Sequence, residues 1–544
     1  MLQERFTKFI LDGIRSNWDK PALADYQGES FTYGHAGETI HRLHNFFRAS
    51  GIQEGDKIAL VGKNSARWCM LYLAVTTYGA VIVPIMPDFR EDDLHEIINH
   101  SDSRMLVTGD PVTEKIKLDR LPAIEAMMKI EDFSGIWFRD PLTASVWEQN
   151  MKGPVQIDAN SFGFTVVEND KLAVISYTSG TTGSAKGVML HHNSLAANVR
   201  YAQNNMPLNP GDPIVSFLPL AHTFGGAFEF LFPFSLGCQI TILTKTPSPQ
   251  IIMKAFQEIR PALILSVPLV IEKIYKKQII PVISKPAIKF ILVIPLINKL
   301  ILSKVKKKLT TVFGGRFREL VIGGAPLNHA AERFFKKMKF PYTVGYGMTE
   351  CGPLISYADW KSIPLHSSGR VIDTLEWKID SEDQAKEVGE IMVRGENVML
   401  GYYKNEEATK EILDDDGWLH TGDLGLIDKA GFVYIKGRNK SMLLGPSGKN
   451  IYPEPIESKF DNLEGVGETL VVQRGEKLIA LIYPDQDYVT KEKLTREQLA
   501  DLFEQHRKTV NSHMPHYIHV HGVEIREEEF LKTPKRNIRR FLYS

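Results

Sequence analysis

Tyr177-Thr178-Ser179-Gly180-Thr181-Thr182-Gly183-Ser184-Ala185-Lys186-Gly187 is the stretch that decides how the rest of the chain is read. Eight Gly, Ser or Thr residues surround a single lysine. Small residues leave backbone N–H groups accessible to an anion, hydroxyls donate to phosphate oxygens, and Lys186 adds a point charge. The Gly-x4-Gly-Lys-[Ser/Thr] spacing of a P-loop is absent. A plain surface turn would not need this density of donors. The stretch follows an apolar run, Ala173-Val174-Ile175, that predicts a strand.

Upstream, short apolar runs alternate with helical patterns. Ile58-Ala59-Leu60-Val61 predicts a strand, Ala66 to Tyr78 a helix, Ala80-Val81-Ile82-Val83 a strand, Glu91 to Asn99 a helix and Met105-Leu106-Val107 a strand. Continuous apolar strands separated by helices indicate a parallel sheet covered on both faces, hence an α/β fold with layered sheets and helices. Leu320-Val321-Ile322 continues the pattern. Beyond residue 437 the style changes. Leu470-Val471-Val472 and Leu478-Ile479-Ala480-Leu481 flank Arg474-Gly475 as a hairpin, and Thr495 with Gln498 forms a capping box before a helix near Leu499 to Val510. This predicts a large domain over 1–437 and a small α+β domain over 441–544, joined at 438–440.

Composition narrows the function. The 544 residues are 43% hydrophobic, and 65 Lys+Arg balance 65 Asp+Glu. Zero net charge argues against general nucleic-acid affinity. Three distant cysteines, Cys69, Cys238 and Cys351, build neither a disulfide framework nor a zinc motif, which favours a reducing compartment. Glu4 and Asp12 do not suit a secretory or transit peptide, and no apolar run approaches the roughly 20 residues of a membrane span. The expectation is a cytoplasmic protein.

Further motifs follow the first in a fixed order. They are Phe217-Leu218-Pro219-Leu220-Ala221-His222-Thr223-Phe224, Gly323-Gly324-Ala325-Pro326, Tyr346-Gly347-Met348-Thr349-Glu350, Gly417-Trp418-Leu419-His420-Thr421-Gly422-Asp423, Gly437-Arg438, and Gly448-Lys449-Asn450-Ile451-Tyr452-Pro453-Glu454-Pro455-Ile456-Glu457. Together they resemble the signatures of the adenylate-forming superfamily, and the last resembles its long-chain fatty acid–CoA ligase branch. The resemblance implies ATP, Mg²⁺ and coenzyme A as reactants. Thr178, Ser179, Gly180, Thr181, Thr182 and Gly183 would bind phosphate with Lys186, and Gly324, Ala325 and Pro326 would line adenine. Tyr346, Gly347, Met348 and Thr349 would hold adenine and the α-phosphate, Glu350 and Thr182 the metal, and Asp423 and Arg438 the ribose. His222 would lie beside the acyl carboxylate, positioning or gating more than transferring protons. Lys440 would be the hinge, with Gly448, Lys449 and Asn450 on the CoA side.

The residue types suit that chemistry. A carboxylate is a poor electrophile because its leaving group would be oxide. Attack on the α-phosphate of ATP gives an acyl-adenylate whose leaving group is AMP. Two anions must meet, so the site needs cations and aligned donors. A carboxylate such as Glu350 suits a hard cation, and Asp423 can accept from ribose hydroxyls.

Two features depart from the pattern. The superfamily's C-terminal lysine falls on Asn537, with Lys535 and Arg536 just before it, so Lys535 is expected to substitute. From Lys276 to Leu309 there is no acid, while Lys276, Lys277, Lys285, Lys289, Lys299, Lys304, Lys306, Lys307 and Lys308 lie among apolar residues. At 100° per residue Lys285, Lys289, Lys299, Lys306 and Lys307 share one side, with a kink expected at Pro295. Peripheral contact of segment 276–309 with the inner membrane face, or a helical hairpin with a solvated lysine face, both fit. The implied function is ligation of a fatty acid, favoured as long-chain, to CoA. Loading of an acyl carrier protein, or nucleotide binding with adenylation impaired at Asn537, are the alternatives.

Overall fold

The structure is a computed structural model that describes residues 1–179, 185–245, 247–275, 295–383, 386–444, 450–475, 477–532 and 538–543. Its largest sheet has eight strands. Five adjacent ones, Leu172–Ser179, Val81–Ile85, Lys57–Val61, Ser103–Thr108 and Ala126–Lys129, run parallel. The strand Lys57–Val61 shows why its run is continuously apolar. Ile58 and Leu60 join one buried cluster, while Ala59 and Val61 join another on the opposite face. The helix Ala66–Tyr78 crosses between parallel strands. The Ser65 hydroxyl accepts from the Trp68 N–H at its start, and Gly79 ends it at φ +92°.

The sheet is not parallel throughout, which corrects the expectation. Ala185–His191 pairs antiparallel with Leu172–Ser179, placing Thr178 opposite Lys186, and the far edge strand Gly135–Phe138 is also antiparallel. The reason is length. A parallel crossover needs about a dozen residues, and residues 180–184 can close only a hairpin.

Four further sheets lie in this part of the described residues, the smallest being the antiparallel set Tyr346–Gly347, Leu354–Tyr357 and Arg370–Val371. One holds Pro213–Ser216, Gln239–Ile242 and Pro21–Asp25 in parallel with an antiparallel edge, Ser30–Thr32. Another is the parallel trio Leu263–Ser266, Glu319–Ile322 and Tyr342–Val344. The last is antiparallel: Leu375–Asp380, Gly389–Gly395, Leu419–Ile427 and Val433–Arg438. The main apolar core runs from Phe6 to Val433, and a separate core runs from Ile451 to Val520. Around the second core, Val466–Arg474 and Lys477–Pro484 form the expected hairpin, joined in parallel by Val520–Ile525. Both reciprocal bonds of the Thr495–Gln498 capping box open the helix Arg496–Ser512.

Of the lysine-rich segment, residues 276–294, with Lys276, Lys277, Lys285 and Lys289, lie outside the described residues. The kink expected at Pro295 coincides with the start of the helix Pro295–Val312, where proline's missing N–H costs nothing. Leu302 and Leu309 are buried, and Lys299, Lys304, Lys307 and Lys308 are exposed. Lys306, seven residues after Lys299, keeps to the same side of the helix. It lies between Leu302 and Leu309 on the helix, half-buried, and its ammonium donates to the Lys339 carbonyl at 2.6 Å. Among the described residues, no helix is long and apolar enough to cross a membrane.

Candidate active site

Parallel strands deliver their following loops to one edge, where ligands of α/β folds bind. Three loops converge this way. Pro213–Ser216 leads into the His222 segment, Glu319–Ile322 into Gly323-Gly324-Ala325-Pro326, and Tyr342–Val344 into Tyr346 to Glu350. Gly323 donates to the Ser266 carbonyl at 3.0 Å and Gly345 to the Ile322 carbonyl at 2.9 Å, which ties the strand ends together. Gly324, Ala325 and Pro326 are exposed at that edge. Phe224 packs on Gly323, its ring 3.1 Å from where a Cβ would sit, so the His222 segment touches the Gly324 segment.

The antiparallel sheet supplies the next pair. Asp423 and Arg438 face each other across neighbouring strands. The Asp423 carboxylate is buried and accepts from the Tyr346 hydroxyl at 2.7 Å and from Arg438 Nε at 2.9 Å. Burial, then Asp423, pushes the Tyr346 phenol well above its ordinary value, so it remains a donor. Asp423 first, with Tyr346 and Glu350 adding less, raises the Arg438 guanidinium further. Sequence reading paired Asp423 with Arg438 and set Tyr346 in a separate motif; the structure places the three in one hydrogen-bonded group.

Glu350 heads a second group. It lies half-buried in the short turn Thr349–Cys351 and accepts from the Tyr402 hydroxyl at 2.8 Å. Lys186 sits on the other side of Tyr402, its ammonium 5.0 Å from the ring centroid. Tyr402 belongs to the strand Gly401–Tyr402, which pairs with Ala185–His191. The lysine of the glycine-rich hairpin is thereby brought to Glu350 through one aromatic ring. A buried asparagine holds the turn. Asn198 accepts from the Leu354 N–H at 3.0 Å and donates to the Cys351 carbonyl at 3.2 Å. Gly352, at φ +60°, leaves no room for a side chain, because a Cβ would lie 2.3 Å from the Ser194 hydroxyl.

His222 caps the short helix Thr223–Gly225, its Nδ1 accepting from the Phe224 N–H at 3.3 Å. The π-helix Gly226–Leu231 follows directly. Its Glu229 is fully buried and holds the base of the His222 segment. One carboxylate oxygen accepts from the Ser216 hydroxyl at 3.1 Å and from the N–H groups of Phe217 and Leu218 at 2.9 and 2.8 Å. Burial pushes this carboxyl up to about 8.

Thr178 lies on the strand Leu172–Ser179, Gly347 and Met348 lead into the Glu350 turn, and Thr349 is buried in it. Gly180, Thr181, Thr182, Gly183, Gly448, Lys449, Lys535 and Asn537 lie outside the described residues, as do the side chains of Ser179, Lys440 and Asn450. The backbone of Lys440 is in the short turn Asn439–Ser441 after Val433–Arg438, and Asn450 opens a strand paired with Leu443–Leu444. The residues on either side of 533–537 are anchored. Lys532 pairs with Glu468 and Glu529 at 2.6 Å each, and Arg540 donates to the buried Glu457 at 2.8 Å.

A family model described as AMP-binding enzyme matches residues 13–403. The chain belongs to the AMP-binding enzyme family. It is 30% identical over 522 residues to the peroxisomal long chain acyl-CoA synthetase 7 of Arabidopsis thaliana, covering 89% of this chain and 73% of that one. It is 28% identical to a long-chain-fatty-acid–CoA ligase of Mycobacterium bovis, covering 80% and 74%. Its fold matches the crystal structure of ATP-bound MatB from Rhodopseudomonas palustris with a TM-score of 0.76 at 23% identity, over 99% and 98% of the two chains. Within this AMP-binding enzyme, sequence reading missed Tyr402, Asn198 and Glu229. Gly401-Tyr402-Tyr403 carried a local aromatic signal, but its pairing beside Lys186 depends on a contact more than 200 residues apart. Asn198 and Glu229 sit within otherwise apolar or mixed helices and carried no signal.

Proposed function

We propose that this ligase joins a long-chain fatty acid to coenzyme A in two steps. In the first, a carboxylate oxygen of the acid bonds to the α-phosphorus of ATP and the bond to pyrophosphate breaks. In the second, the CoA sulfur bonds to the acyl carbon, AMP leaves with the bonding pair, and the thiol proton is lost. The observation that carries this reading is the convergence of two groups, Asp423 with Arg438 and Tyr346, and Glu350 with Tyr402 and Lys186.

Asp423 accepts from the ribose hydroxyls while Arg438 and Tyr346 keep its carboxylate aimed. Gly324, Ala325 and Pro326 line the adenine. Lys186 offsets the negative charge gathered when two anions meet. A half-buried carboxylate beside a hydroxyl fits a hard cation, so Glu350, with Thr182, would hold Mg²⁺. Bound there, Mg²⁺ would neutralise phosphate charge. His222 positions the acyl carboxylate, and Glu229 fixes the segment that carries it.

The relatives' names support the long-chain acid and the CoA acceptor. The two separate apolar cores support a small unit, 441–544, turning about 438–440 between the steps and exchanging the Lys535 side for Gly448, Lys449 and Asn450. The decisive experiment is palmitate-dependent ATP–pyrophosphate exchange followed by CoA-dependent AMP release. Exchange without AMP release on CoA, but with release on an acyl carrier protein, would move the acceptor to the carrier. Absence of exchange would reduce the protein to a nucleotide binder. Lys535→Ala is expected to suppress exchange and Asn537→Lys to raise it. Unchanged exchange in Lys535→Ala would remove Lys535 from the first step.

A further inference from the structure

Three side chains with metal-ligating atoms meet at the helix that follows the Gly324–Pro326 loop. His329 and Glu332 lie one helical turn apart on the helix His329–Lys337, so they share a face. His366 reaches them from a loop 34 residues on. One nitrogen of each histidine and one Glu332 oxygen all lie within 4.8 Å of one another, and the two imidazole rings have centroids 4.1 Å apart. Glu332 is buried at 3% exposure, His366 is half-buried and His329 is exposed, so the cluster has a fixed floor and an open mouth.

We propose that His329, Glu332 and His366 form a binding site for a divalent transition metal of the zinc type.

Two imidazoles and one carboxylate are the protein donors of many three-ligand zinc sites, which hold the ion at about 2.0–2.1 Å and leave a fourth position to solvent. Donors around such an ion lie about 3.3 Å apart in tetrahedral geometry. His366 Nδ1 is 2.8 Å from Glu332 Oε2, in hydrogen-bond contact, so an ion would displace the shared proton and open this pair to about 3.3 Å while the His329 side draws in. That residue stands at the exposed mouth.

The local backbone is built to keep His366 in place. Its φ is +66°, a left-handed conformation that a non-glycine residue adopts at a cost of about 1 kcal/mol or more. The Glu332 carboxylate offsets this by accepting from the His366 N–H at 2.7 Å. Helix placement is equally firm. The Asn328 side chain accepts from the N–H groups of Ala330 and Ala331 at 2.9 and 3.1 Å.

Charge selects the ion. Arg333, Lys436 and Lys459 act on His329, and Lys336 acts on Glu332. These cations oppose any dication, so hard ions that rely on charge are disfavoured, whereas Zn²⁺, Ni²⁺ and Cu²⁺ gain from imidazole nitrogen. The site is therefore separate in chemistry from the oxygen site at Glu350. Its location gives it a consequence, since a metal there cross-links the helix after the Gly324–Pro326 loop to the loop of His366. The Asn328 amide also touches Asn462, beyond the hinge.

The test is a Zn²⁺ titration of the full-length, chelator-treated protein against a chromophoric competitor, with Mg²⁺ present, and a Co²⁺ titration followed by visible absorption. About one tight equivalent is expected, together with the intense Co²⁺ bands of a four-coordinate site and a rise in Tm on adding Zn²⁺. His329→Ala should weaken binding by at least about tenfold. His366→Gly removes the imidazole and suits the left-handed backbone, so it keeps the fold while losing the equivalent and the Tm shift. Absence of a stoichiometric equivalent in the wild type, or undiminished binding in His366→Gly, would overturn the proposal.

Discussion

Asp423 and Glu229 are both carboxylates at less than 5% exposure, and they are held in opposite ways. Asp423 faces a guanidinium and a phenol at the rim of the site. Glu229 is held by a hydroxyl and two backbone N–H groups, with no cation bonded to it among the described residues, and burial raises its pKa to about 8. A carboxylate paired with a guanidinium at an edge offers an acceptor to a ligand. One sunk into the core can only fix what its donors belong to, here the strand end that leads to His222.

That contrast is broken most severely at Glu229. Glu229→Ala leaves a hydroxyl and two buried N–H groups without an acceptor, at about 1–3 kcal/mol each, so a stability loss of at least about 3 kcal/mol is expected in urea unfolding. Glu229→Gln keeps an acceptor oxygen and should stay close to wild type at low pH. The titration gives the sign. Because the folded pKa, about 8, lies above the ordinary 4.5, this group's stabilising contribution is fully present below pH 4.5 and is lost as pH rises towards 8. Wild-type stability should therefore fall across that window, and Glu229→Gln should flatten the fall. An equal slope in both proteins would contradict a buried, titrating Glu229.

Asp423→Asn reverses the pattern. Stability should change little, while pyrophosphate exchange should fall by about 10²-fold, because the ribose loses its charged acceptor and Arg438 its partner. The smallest effect is expected for Tyr402→Phe, which keeps the ring over Lys186 but removes the bond to Glu350. One hydrogen bond to a charged group is worth about 1.5–3 kcal/mol at most, so a loss between a few-fold and about 10²-fold in exchange is expected, with the KM for MgATP rising first. Unchanged kinetics would mean that Glu350 is positioned by its turn alone.

Much of this was legible in the sequence because it is local. The strands around Ile58, Val81 and Leu106, the helix Ala66–Tyr78, the hairpin at Arg474-Gly475 and the capping box at Thr495 each depend on a few neighbouring residues. The pairing of Asp423 with Arg438 was reached through motif order, and the structure adds Tyr346 to it. What escaped depends on distant partners. Strand direction at Ala185–His191 followed from connection length rather than apolar pattern, and the bond from Lys306 to the Lys339 carbonyl joins residues distant in sequence. Tyr402, Asn198 and Glu229 act across sequence gaps or from inside apolar helices, where residue type alone does not separate a site from a core.

The central claim is that the two side-chain groups at this edge build an acyl-adenylate and pass it to CoA. A single assay addresses it: AMP release by the full-length protein with MgATP and CoA across saturated acids of increasing chain length. Release is expected to need both acid and CoA, to be greatest with long-chain acids, and to fall by about 10²-fold in Asp423→Asn. AMP release that ignores the acid, or a long-chain thioester formed equally well by Asp423→Asn, would contradict it.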